Sequence, residues 1–64
     1  AMPKFTLELE WLDQSSTFAE ISVDGEPHQY NAVLMWICRG ALMASGCYQS
    51  VIWNEEGFEI CAYR

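Results

Sequence analysis

The chain has 64 residues, 52% of them hydrophobic and 19% charged, with nine acidic residues set against Lys4, Arg39 and Arg64 for a formal charge of −6. Such a length makes one small domain, residues 1–64, that buries about 60% of its unfolded surface, and the composition excludes a disordered chain. Three cations are too few for phosphate-driven nucleic-acid binding, so basic protein surfaces are the expected partners.

The segment Lys4 to Leu12 alternates, with Phe5, Leu7, Leu9 and Trp11 on one side and Thr6, Glu8, Glu10 and Leu12 on the other. This spacing predicts a strand. The polar turn Asp13-Gln14-Ser15-Ser16 leads into a return strand, Thr17 to Asp24, with Ala19, Ile21 and Val23 inside and Phe18, Glu20, Ser22 and Asp24 outside. Asp24-Gly25 and Glu26-Pro27 end it.

From Gln29 to Ser45 the period becomes helical, with Tyr30, Val33, Leu34, Ile37, Cys38, Ala41 and Leu42 as the predicted buried stripe. Asn31 or an acidic residue upstream is the expected N-cap, and Gly46 suits the helix end because it takes positive φ without steric cost. Gly40 weakens the helix interior and permits close approach of a neighbour. A second hairpin, Cys47 to Trp53 and Phe58 to Tyr63, turns through Asn54-Glu55-Glu56-Gly57, with Gly57 at the left-handed position. In its last strand Phe58, Ile60 and Ala62 share one face, and Glu59, Cys61 and Tyr63 the other. The expected architecture is α+β, ββαββ: an antiparallel-rich four-stranded sheet with one helix on one face. Strand order stays open.

Two surfaces are candidates for function. Alternation puts Glu8, Glu10, Glu20, Asp24 and Glu59 on the uncovered sheet face, with Glu55 and Glu56 at a hairpin tip extending it. Like charges on neighbouring strands repel, so a sheet that keeps them has a use for them. The second surface is the outer side of the helix, where Met35, Trp36, Arg39 and Met43 are residue types enriched in interfaces. It supports a homodimeric or adaptor-type module as the alternative, the chain being a monomer or a weak homodimer.

Little suggests an enzyme or a cofactor. His28 is the single histidine and makes no zinc site without well-placed thiolates or carboxylates; paired with a cysteine it is a weak nucleophile candidate. Cys38, Cys47 and Cys61 lack the spacing of a metal or redox motif and read as reduced thiols. Trp11, Trp53 and the tyrosines lack the interleaved cations of a nucleic-acid stacking platform. No run approaches the roughly 20 apolar residues that span a bilayer, and no basic leader opens the chain. The expectation is a cytoplasmic protein in which Ala1 is left by cleavage and Met2 is the natural start.

Taken together, the length, the acidity, the sheet with one helix, and the segments KFTLELEWLD, FAEISVDGE and WNEEGFEICAYR resemble the small phage-encoded anti-CRISPR proteins, most closely the type I-C inhibitors that act on the Cascade surveillance complex. The resemblance implies an inhibitor in the cytoplasm of an infected bacterial host. Its acidic face would imitate the DNA backbone, occupy a Lys/Arg-lined site and block target DNA.

Overall fold

The computed structural model describes residues 2–64; Ala1, read above as a cleavage remnant, lies outside them. The elements run β1 (Lys4–Glu10), β2 (Ser16–Ser22), a 3-10 turn (Pro27–Gln29), α1 (Tyr30–Ser45), β3 (Gln49–Trp53) and β4 (Glu59–Tyr63). They form the expected ββαββ fold, with one antiparallel sheet in the order β2-β1-β3-β4. Because β2 and β3 both run antiparallel to β1, they are parallel to each other, and α1 makes the crossover between them. The hairpin register is continuous from Lys4 opposite Ser22 to Glu10 opposite Ser16.

The core forms where the inward rows of β1 and β3 meet the helix. Phe5, Leu7, Val23, Leu34, Cys38 and Ile52 are its buried members, with Leu9, Ile21, Tyr30, Ile37, Ala41, Cys61 and Tyr63 packed around them. Phe5 meets Tyr30 edge to face at 6.5 Å between ring centroids, the arrangement aromatic quadrupoles favour. Ser50 is fully buried among apolar neighbours. Its hydroxyl donates to the Cys38 carbonyl at 2.6 Å, so a polar group that would be costly if unpaired ties β3 to the helix.

Several local expectations are corrected by tertiary packing. β1 stops at Glu10, because Trp11 accepts from Gln14 N and donates to the Ser15 carbonyl, starting the turn two residues early. Leu12 is left outside, and Gln14 takes a φ of 73°. Ala19 is exposed, not inside: α1 lies over β3, β4 and β1 and does not reach the β2 edge among the described residues. Val33, at the flank of the helical stripe, is 40% exposed. Gln29, the last residue of the 3-10 turn, precedes the helix without a side-chain cap bond to it; the upstream acid Glu26 heads the 3-10 turn, and Asn31 falls inside the first turn of the helix. Gly46 closes the other end at φ 68°, its N–H donating to the Leu42 carbonyl at 3.1 Å.

The last strand departs most from simple alternation. Ser50 pairs with Tyr63 and Ile52 with Cys61, but Trp53 pairs with Glu59 across a bulge. An extra residue changes the phase of a strand. Cys61 and Tyr63 therefore pack toward the helix, while Phe58, Ile60 and Ala62, expected to share an inner face, are exposed.

Candidate functional site

The face of the sheet opposite α1 is built from alternate residues of β1 and their cross-strand partners. Glu8 stands between Phe18 on one side and Val51 on the other; Glu10 stands between Ser16 and Gln49; and Thr6 between Glu20 and Trp53. Glu8, Glu10 and Glu20 thus share this face as alternation required. The first two are half-buried and already bonded. Glu8 accepts from Trp53 Nε1 at 3.0 Å and from Ser16 Oγ at 2.7 Å. Glu10 accepts from Gln49 Nε2 at 3.0 Å, and Gln49 Oε1 in turn accepts from Arg64 Nε at 2.7 Å. These bonds flank Val51, which is buried although no helix covers it. Lys4 Nζ lies 3.6 Å from Glu20, an exposed ion pair of small energetic weight.

Asp24 does not extend that row, whereas Glu59 lies on the same face at the far edge of the sheet. β2 ends at Ser22, so Asp24 belongs to the loop beyond it. The register runs Glu20, Thr6, Trp53, Glu59 across the four strands, so Glu59 shares the open face, two strand spacings or about 10 Å from β1. It pairs with Trp53 at the bulge and sits close enough to the Cys61 thiol to help raise its pKa.

Strand directions assemble the charges differently. β1 and β4 begin, and β2 and β3 end, at one end of the sheet. Glu20, Asp24, Glu26, Glu55, Glu56 and Glu59 all fall on or just beyond that end, six of the nine acids, against Lys4 alone among the lysines and arginines. Glu10 and Asp13 mark the other end, near Arg64. The hairpin tip is folded firmly. Asn54 Oδ1 accepts from Glu56 N at 3.0 Å and Phe58 N at 2.9 Å, and Gly57 takes a φ of 88° as its position in the turn required. Glu55 Oε1 accepts from Lys4 N at 3.4 Å, joining the tip to the start of β1. Gln29 Oε1 accepts from Glu26 N at 3.3 Å, which holds the other loop. Glu26 was not singled out from the sequence; its place at this end depends on strand order.

The helix side offers a second surface. Met35, Trp36, Arg39 and Met43 are all exposed, Trp36 by 77% and Met43 by 73%. A shallow groove of about 290 Å³ lies between Ala32, Met35, Trp36, Arg39 and Tyr63. Met35 and Tyr63 also line a neighbouring groove that reaches Ile60 and Ala62 on the β4 edge.

The thiols are packed as core groups. Cys38 is fully buried, with its sulfur 3.3 Å from the Ser50 carbonyl. Burial, with Cys38 close by, pushes the Cys61 thiol up to about 12, so its thiolate is disfavoured. His28 is exposed in the 3-10 turn, and no hydrogen bond joins it to a thiol among the described residues. No cluster of His, Cys, Asp or Glu among them has the arrangement of a metal site. No helix among them is long and apolar enough to cross a membrane. At the far turn, Ser15 Oγ and then Ser15 N bond Asp13 and hold its carboxyl below the usual range.

Neither a family model, nor a curated protein, nor a solved structure matches the chain.

Proposed function

We propose that this protein is a binding inhibitor that presents carboxylates to a Lys/Arg-lined, nucleic-acid-binding protein surface. On the anti-CRISPR resemblance, that surface belongs to a Cascade-type complex, and occupying it blocks target DNA. The observation that carries the reading is the gathering of Glu20, Asp24, Glu26, Glu55, Glu56 and Glu59 at one end of the sheet with Lys4 as the one opposing lysine or arginine. RNA-guided effectors hold their nucleic acid in positively charged channels, and a field of one sign steers association with such a channel. The carboxylates are carried on a sheet and two tight loops. Less conformational entropy is lost on binding than a flexible acidic tail would lose. Glu8 contributes from the middle of the open face: a carboxylate has about four acceptor sites, so its two internal bonds leave others for a lysine or arginine.

The test is displacement of target DNA from a purified type I-C surveillance complex. Wild-type protein is expected to block DNA binding, with inhibition falling steeply as salt rises. The combined charge reversal Asp24→Lys, Glu56→Lys touches two exposed loop side chains and should weaken inhibition by at least tenfold. A folded double variant that inhibits as well as the wild type refutes the assignment of the contact to this end of the sheet. If wild-type protein leaves DNA binding unaffected, the Cascade reading fails.

A further inference from the structure

The outward surface of α1 is patterned for its own copy. Ala32, Met35, Trp36, Arg39, Gly40 and Met43 are all exposed on it. Four of them, Ala32, Trp36, Arg39 and Met43, follow a 4-3-4 spacing, the seam by which two helices pack side by side. α1 contains no Asp or Glu in a chain that has nine, and Arg39 is its one charged residue. Two molecules of charge −6 can therefore meet on this surface without opposing carboxylates.

We propose that a second copy of this chain docks here, α1 against α1 and antiparallel, about a two-fold axis level with the Ile37–Cys38 peptide. The stripe is self-complementary about that point. Trp36 and Arg39 are equidistant from it, so the indole of each copy meets the guanidinium of the other, a favourable cation–π pairing. Ala32 and Met43 are also equidistant, so a small side chain faces a large one at each end. Such isologous contacts are the commonest route to homodimers.

Gly40 is an independent observation in favour. Glycine in a helix interior is destabilising, yet a Cβ placed at Gly40 would meet nothing within 4 Å in the monomer. Packing inside one chain does not ask for glycine there. In the antiparallel pair, Gly40 lies beside Arg39 at the level reached by Trp36 of the second copy, and its missing side chain leaves room for that indole.

Sedimentation equilibrium from micromolar to submillimolar protein tests the proposal. Wild type should reach twice the 7.3 kDa chain mass. Trp36→Ala and Gly40→Leu should each raise the dissociation constant about tenfold or more, with unchanged far-ultraviolet circular dichroism. The antiparallel register predicts that a mixture of Ala32→Cys and Met43→Cys chains cross-links under mild oxidation. Ala32→Cys alone does not, because the two copies of that position stand roughly 16 Å apart along the helices, beyond disulfide reach. A wild type that stays monomeric throughout overturns the proposal, as does a dimer indifferent to both substitutions or one that cross-links through Ala32→Cys alone.

Discussion

Replacing Glu8 by alanine should destabilise the fold well beyond what an ordinary surface carboxylate would. Its two oxygens hold Trp53 Nε1 and Ser16 Oγ at 3.0 and 2.7 Å, joining β1 to both neighbouring strands on the face no helix covers. Hydrogen bonds to a charged group contribute roughly 1.5–3 kcal/mol each. Glu8 is half-buried, so the low end applies and the loss should be about 2–3 kcal/mol. For a chain of this size, whose total stability is on the order of 3–10 kcal/mol, that is a large fraction. In urea, with a slope of about 1 kcal/mol per molar for so small a domain, the midpoint should fall by about 2–3 M. Glu8→Gln should cost less than about 1 kcal/mol: the amide oxygen still accepts from Trp53, and its NH₂ donates to a rotated Ser16 hydroxyl. Glu20→Gln, which loses only an exposed ion pair, should stay within about 0.5 kcal/mol. If Glu8→Ala and Glu20→Gln shift the midpoint equally, the carboxylate is not a cross-strand tie and the reasoning fails. The same logic makes Glu8 a poor site for charge reversal in a binding assay, since lost inhibition would be confounded with lost fold.

Leu34→Ala empties a position only 1% exposed between the helix and β1–β3, and should cost about 2–5 kcal/mol in chemical denaturation. Gly40→Ala fills open space on a helix and should stabilise the monomer by about 1 kcal/mol, read as a higher urea midpoint in dilute solution. Ser50→Ala removes the donor to the Cys38 carbonyl and should lower stability by about 1 kcal/mol, measured in the same way. The Cys61 thiol gives a pH signature. Its folded pKa is raised from 9.0 to about 12 by burial and by Cys38, so above pH 9 the unfolded chain releases a proton that the folded chain keeps. Stability should therefore decline as pH climbs from 9 toward 12, and Cys61→Ala should flatten that slope relative to wild type.

Period alone identified the four strands and the helix, because a side chain on β1 such as Leu7 must repeat at two residues and one on α1 such as Leu34 at about 3.6. Gly46 and Gly57 were legible for a local reason: one closes the helix and the other sits in the β3–β4 turn, each where the backbone must take positive φ. Period failed where a nonlocal partner set the phase. The bulge opposite Trp53 turned Cys61 and Tyr63 toward the helix, and nothing in the segment Phe58 to Tyr63 encodes the strand beside it. Ala19 was misjudged because the coverage of β2 depends on where α1 comes to rest.

The amino-acid order by itself determined the charge imbalance, the element order and the residues on each helix side, since these follow from composition and local repeat. Tertiary structure decided what the acids do. Strand order and direction brought Glu26 and Glu55 to the same end of the sheet, though 29 positions separate them. Glu8 became a tie to Trp53, 45 residues away. Which carboxylates are spent inside the fold and which remain free for a partner depends on such long-range pairings, and these exist only once the chain has closed on itself.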